Sequence, residues 1–212
     1  MTDITEDSAT CLRSHDQDGP SSGQPITPDD RSAREALLDA AVAVAERYQT
    51  PAVGFGEIAA AAGIAADAAS ALFSSVDEIL IEAALRNCRD DLGLEALALT
   101  GSAPTVSAYA HHFARRKSFY RAMRNGDVAA ALDGRMAGLL APFIAVQTRT
   151  LISTRLGADL LDEMILEVTI ECFTVTNAWI LESPADEGAE GLYVRLEEIV
   201  IRRIEDARLR QG

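Results

Sequence analysis

Two stretches near the C-terminal end repeat their apolar residues at spacings of three and four. Leu161, Met164, Val168, Cys172, Val175 and Trp179 do so within residues 160–182, and Leu192, Leu196, Ile199, Val200 and Ile204 follow beyond the Ser183-Pro184 break. That spacing draws one stripe along a helix, and no sustained alternation of the kind a strand needs appears from Ser102 onward. The fold class predicted is therefore all-α. Two long helices joined by a short acidic loop form a hairpin, and its second apolar face needs a partner. A second copy meets that need, giving a homodimer built on a four-helix bundle with Leu161, Val168, Val175, Leu192, Leu196, Ile199 and Val200 at the interface.

The N-terminal half is punctuated by helix starts and stops. Thr27-Pro28-Asp29-Asp30 opens a helix with carboxylates in its first turn, and Leu37, Ala41, Val44 and Tyr48 fall on its inward face. Gln49-Thr50-Pro51 ends it. A short helix former from Glu57 to Ala62 stops at Gly63, and a second short run spans Ala66 to Phe73, the layout of a helix-turn-helix. Ser75, with Glu78 three residues on, is a capping box that starts a longer helix carrying Ile79, Ala83 and Leu85 toward Asn87.

This run resembles the N-terminal domain of the TetR family of transcriptional regulators. The matching residues are Ala40-Ala41 with Val44, then Ile58-Ala59, Ala62-Gly63-Ile64, Phe73 and Asp77-Glu78-Ile79-Leu80. The resemblance implies a helix-turn-helix domain over residues 29–75, preceded by a tail at 1–28, and a larger helical ligand-binding and dimerisation domain over 76–212. It also marks the positions that ordinarily contact DNA, which here are Val53, Ala65, Ala66, Ala68, Ser70 and Val76.

None of these six residues carries a cation. Between Arg47 and Arg86 there is no Lys, Arg or His, while Glu57, Asp67, Asp77, Glu78 and Glu82 all fall in that gap. Phosphate neutralisation supplies essentially all non-specific DNA affinity, and for base readout residues 66–71 offer only Asp67 and Ser70. A net charge of −14 points the same way. The expected function is a ligand-responsive regulatory protein whose reader domain has lost ordinary duplex-DNA binding and acts through a small molecule or a protein, such as a DNA-binding paralogue. Two rivals are a conventional DNA-binding repressor released by a small apolar ligand, and a TetR-fold protein turned enzyme with His111, His112 or Glu171 as acid-base groups.

The middle of the chain is rich in aromatics. Helices are predicted over Ala108 to Asn125 and Ala129 to Arg149, the second kinked or broken near Leu140 by Pro142. The resemblance places a ligand cavity here. Tyr109, Phe113, Phe119, Tyr120, Met136, Phe143, Phe173 and Trp179 are its candidate walls, and His111, His112, Glu171 and Asn177 its polar anchors, for a small apolar or aromatic organic ligand. Adjacent residues on a helix point ~100° apart, so His111 and His112 cannot share one metal face. No metal or cofactor motif stands out, and none is expected.

Cys11, Cys88 and Cys172 are odd in number and widely spaced, which predicts reduced thiols, the latter two packed as small hydrophobes; a reactive Cys172 is the alternative. The tail has almost no apolar content and five acidic residues, and is expected to lack order. No stretch approaches the roughly 18 uninterrupted apolar residues of a membrane span, and no signal-peptide core is evident, so the expected location is the cytoplasm.

Overall fold

The computed structural model describes residues 28–94, 105–151 and 158–209. Residues 1–27 of the predicted 1–28 tail, with Cys11, and the side chain of Ile204 lie outside them, while Pro28 already begins the first helix. Among the described residues the chain is all-helical, with nine α-helices and no strand. These are α1 (Pro28–Tyr48), α2 (Phe55–Ala62), α3 (Ala66–Leu72), α4 (Val76–Leu92), α5 (Val106–Arg115), α6 (Lys117–Arg124), α7 (Val128–Leu151), α8 (Ala158–Glu182) and α9 (Ala189–Leu209).

Local chemistry sets the boundaries of the first four. Pro28 at the start of α1, with Asp29 and Asp30 in the first turn and Arg47 in the last, suits the helix dipole at both ends. Gln49 ends the helix in the left-handed region at φ 54, where few non-glycine residues sit. Its Nε2 donates to Ser118 Oγ at 2.8 Å, and its carbonyl accepts from Asn125 Nδ2 at 3.3 Å, so α6 holds the corner in place. Tyr48 was expected inside and is instead 50% exposed. The helix ends there and the chain reverses at Gln49, leaving the ring under the Arg47 guanidinium rather than under a neighbouring helix.

Helices α2 and α3 are bent through 105° at their break, within the range of a helical corner. Gly63 allows the turn, at φ 70, and its N–H closes back on the end of α2. Ser75 Oγ accepts from the Glu78 N–H at 3.1 Å and caps α4. The Glu78 carboxylate does not complete the expected box on Ser75 but reaches one residue further, to the Ser74 N–H at 2.8 Å and the Ser74 hydroxyl at 2.6 Å.

Around these helices Leu37, Ala41, Val44, Ala45, Ile58, Ala59, Ala69, Phe73, Ile79, Leu80 and Ala83 form one buried core. Helix α4 is shared: it packs against α1 on one side and against α5 and α7 on the other. Helix α1 also meets α6. At that seam a side chain on Gly126 would stand 2.5 Å from Pro51 Cγ, so the stiff Pro51 ring lying against this backbone requires glycine.

The predicted single helix over 108–125 is two, α5 and α6, divided at Arg116 (φ −105, ψ 13). With that break α6 presents Lys117 and Arg121 to the C-terminal end of α8: Lys117 Nζ donates to the Pro184 carbonyl, and Arg121 to those of Ile180 and Ser183. Helix termini leave carbonyls unpaired, and two cations from a neighbouring helix satisfy them here. Helix α7 in turn runs without interruption through Pro142, which sits on its exposed side, so the break foreseen near Leu140 does not occur.

The segments Val128–Arg149 and Leu161–Glu182 are long and apolar enough to cross a membrane by length and composition, each reaching a mean hydropathy of 1.4. Counting uninterrupted apolar residues missed this, because scattered charges such as Asp133 and Glu167 break the runs without lowering the average enough. In the fold 33% and 39% of the two stretches are buried.

Candidate functional site

Three places in the fold could carry a function: the outer face of α2 and α3, a cavity and groove among α5, α7, α8 and α9, and a buried polar cluster around His112.

On the first face, Ala65, Ala66, Ala68 and Ser70 are exposed, together with Glu57, Ala60, Ala61, Asp67 and Ala71. Ser70 turns its hydroxyl back onto its own helix, donating to the Asp67 carbonyl at 2.8 Å. Val53 is buried in the core and Val76 half-buried against it, so neither stands on the surface where the resemblance would put a phosphate contact. Two flanking cations, Arg34 and Arg86, are engaged within the chain. Arg34 is ion-paired with Glu82, donates to the Leu72 carbonyl and lies 4.2 Å from the centre of the Phe73 ring, and Arg86 is ion-paired with Asp39. The face is small-residue, nearly flat in chemistry and negative.

The expected ligand cavity is mostly filled by its own walls. Phe113, Phe119, Tyr120, Met136 and Trp179 are all buried, and the Tyr120 ring packs in tilted contacts against Phe113 and Phe119 at ring separations of 4.9 and 5.5 Å. Phe173 and Asn177 are half-buried on α8. What remains is an apolar cavity of about 30 Å³, to which only Tyr109 and Phe143 contribute from the candidate set. Val106, Ile144, Gln147, Thr148, Val168, Cys172, Leu196 and Val200 complete its lining. A groove of about 490 Å³ adjoins it, sharing Val106, Gln147 and Val200 and adding Thr105, Ser107, Tyr193, Glu197 and Ile201. The groove, not the cavity, has the size of a small-molecule site. Its residues come from the start of α5, the C-terminal part of α7 and the middle of α9, which the aromatic count had passed over.

At the floor of the cavity the Tyr109 hydroxyl shares a hydrogen bond of 3.2 Å with Thr176 Oγ1. Burial pushes the Cys172 thiol up to about 12, and Cys88 likewise. Both are neutral thiols packed in apolar surroundings, which is the chemistry of inert rather than reactive cysteines.

The polar cluster joins α4, α5 and α6. His112 is fully buried, with Nδ1 2.8 Å from Asp91 Oδ2 and Nε2 2.7 Å from the Tyr120 hydroxyl. Arg115 and Arg116 approach the same Asp91 carboxylate at 3.0 and 3.6 Å. Burial pulls His112 down to about 4 against the hydrogen bond and charge of Asp91, so the ring is neutral at pH 7. The consistent assignment has Nδ1–H donating to Asp91 and Tyr120 O–H donating to Nε2. Burial raises the Asp91 carboxyl, but His112 and the two guanidiniums outweigh it and hold it below its ordinary value. Nothing in this Asp-His-Tyr chain lines the cavity or the groove, so it fastens three helices rather than handling substrate.

The other acid-base candidates lie apart from it. His111 is exposed, its Nδ1 2.8 Å from the Ser107 carbonyl oxygen. Glu171 is ion-paired with Arg202 and Arg203 of α9, and Glu167 with Arg203, so this carboxylate stripe clamps the hairpin. Among the described residues no three His, Cys, Asp or Glu side chains gather as a metal site would require.

The interface candidates divide. Val168, Leu192, Leu196 and Ile199 are buried in the chain's own core, and Leu161, Val175 and Val200 are partly buried against it. The apolar side chains left in the open on these helices are Leu166, Ile170 and Leu181 of α8 and Val194, Ile201 and Leu209 of α9.

The sequence matches no protein-family model, and no curated protein matches it.

Proposed function

We propose that this chain is a TetR-like, ligand-responsive regulatory protein of the cytoplasm whose helix-turn-helix no longer grips DNA and works through a protein partner. The observation that carries this is the exposed face of α2 and α3, which presents alanines and carboxylates and no cation. A basic protein surface, such as that of a DNA-binding paralogue, is the complement of such a face, and a phosphate backbone is not.

The test is duplex binding by fluorescence anisotropy across a salt series. A DNA reader loses about 0.9 log units of affinity per phosphate contact for each tenfold rise in salt. Here no measurable binding and no slope are expected at ~0.15 M salt. The variant carrying Ala66→Lys, Ala68→Lys and Ser70→Tyr, all at exposed positions, is expected to gain nonspecific affinity with a measurable slope. Nanomolar binding by the unmodified chain with steep salt dependence would overturn the reading.

A homodimer belongs to the same proposal, its support being the open apolar row Leu166, Ile170 and Leu181 on one face of α8. Leu166→Asp with Ile170→Asp is expected to give a folded monomer by light scattering, because charge enters an interface without disturbing the core. The pair Leu196→Asp and Ile199→Asp is expected to unfold the chain instead, since both side chains are internal. A monomer for the unmodified protein at micromolar concentration would reject the dimer.

A further inference from the structure

The ligand-responsive reading leaves open what kind of molecule binds, and the groove walled by α5, α7 and α9 narrows it. We propose that this groove takes a slender apolar amine, with the ammonium head at Glu197 and the apolar tail running over Val106 and Val200 toward the cavity beneath. The proposal rests on the ligand-responsive reading above.

The groove has about 490 Å³ and the cavity about 30 Å³, and the two share Val106, Gln147 and Val200 as a common rim. The cavity is small, and although Gln147 and Thr148 are among its lining, nearly all the surface turned toward it is apolar, whereas a buried water needs two to four polar partners. A methyl terminus suits it better than water does. The groove is the more polar of the two, with Thr105, Ser107, Gln147, Tyr193 and Glu197 in its lining.

Sign decides between head groups. Among the described residues Glu197 is the one carboxylate in the groove's lining, and neither Lys nor Arg lines it. The Tyr193 hydroxyl donates to Glu197 Oε1 at 2.9 Å, which orients the carboxylate and leaves it capacity for further donors. An ammonium head finds an oriented acceptor, whereas a carboxylate head meets like charge at close range.

Calorimetry with hexylamine, hexanol and hexanoate at pH 7 tests this. Hexylamine is expected to bind at least tenfold more tightly than hexanoate, with hexanol between them. Glu197→Gln, at an exposed position, is expected to bring the amine to the level of the alcohol, and Ser107→Arg to reverse the order in favour of hexanoate. Circular dichroism checks that both variants keep the helical fold. Saturable binding of all three probes with no charge preference, or a preference that survives Glu197→Gln, overturns the amine assignment and leaves the ligand-responsive reading standing. Failure of all three to bind saturably overturns both.

Discussion

Asp91→Ala is expected to destabilise the protein by about 2–3 kcal/mol in chemical denaturation at pH 7. Most of that comes from one buried donor. His112 is fully enclosed, and without Asp91 its Nδ1–H has no acceptor, which costs about 1–3 kcal/mol. Arg115 is 59% exposed, so its share is small. Asp91→Asn keeps an acceptor while removing the charge, and is expected to lose less than half as much. Equal losses for the two variants would show that charge rather than satisfaction of His112 holds the cluster together.

The same cluster fixes how stability responds to acid. The folded His112 titrates at about 4, below the ordinary 6.5, so between these values the unfolded chain holds the extra proton and folding is disfavoured as pH falls. The contribution is fully present above about 6.5 and is lost progressively toward 4, a swing of roughly 2–3 kcal/mol. Asp91, also depressed, adds a loss that begins below its ordinary 3.8 and continues through its folded value. His112→Gln is expected to flatten the decline between pH 6.5 and 4 while leaving the steeper fall at lower pH. Denaturation midpoints in that window that do not differ between the variant and the parent would disprove the neutral buried imidazole.

Trp179→Ala is expected to cost about 4 kcal/mol, the largest single truncation in the chain. The indole is fully buried, its Nε1–H donates to Glu187 Oε1 at 3.0 Å, and Lys117 Nζ stands 4.0 Å from the ring centre. Removing it opens a cavity under the α8–α9 loop and takes the π face from a buried ammonium. Lys117→Met separates the effects. It keeps the packing, leaves the Pro184 carbonyl without its donor, and is expected to cost about 1–3 kcal/mol with a shift in the emission of Trp179, the protein's one tryptophan. Unchanged emission in Lys117→Met would refute the contact.

Much of the fold can be read from residues that act locally. Pro28, Gly63 and Ser75 mark helix ends through their own backbone chemistry, and the stripes of α8 and α9 follow from periodicity. The contents of the site depend instead on distant contacts. Nothing near His112 announces that Asp91, 21 residues earlier, accepts its proton, and without that contact a buried histidine resembles a pocket anchor. Periodicity finds that Leu196 is apolar but cannot say whether its own core or a second copy covers it. Glu171 shows the same ambiguity among charges. In the sequence it reads as a polar anchor of a cavity, and only the register of α9 reveals Arg202 and Arg203 opposite.

Helix α4 has a mechanical consequence. Its 17 residues make a rod of about 25 Å. Near one end Asp91 is fastened to α5, the helix that lends Val106 and Ser107 to the groove, and at the other end Val76 follows directly on the α2–α3 corner. Between them the Arg34–Glu82 and Arg86–Asp39 pairs rivet the rod to α1. A tilt of about 5° pivoting near Asp91 would carry the far end of such a rod by about 2 Å. A tilt of that kind would carry the surface around Asp77 and Glu78 with it, and the Arg34–Glu82 and Arg86–Asp39 pairs are the contacts it would have to break.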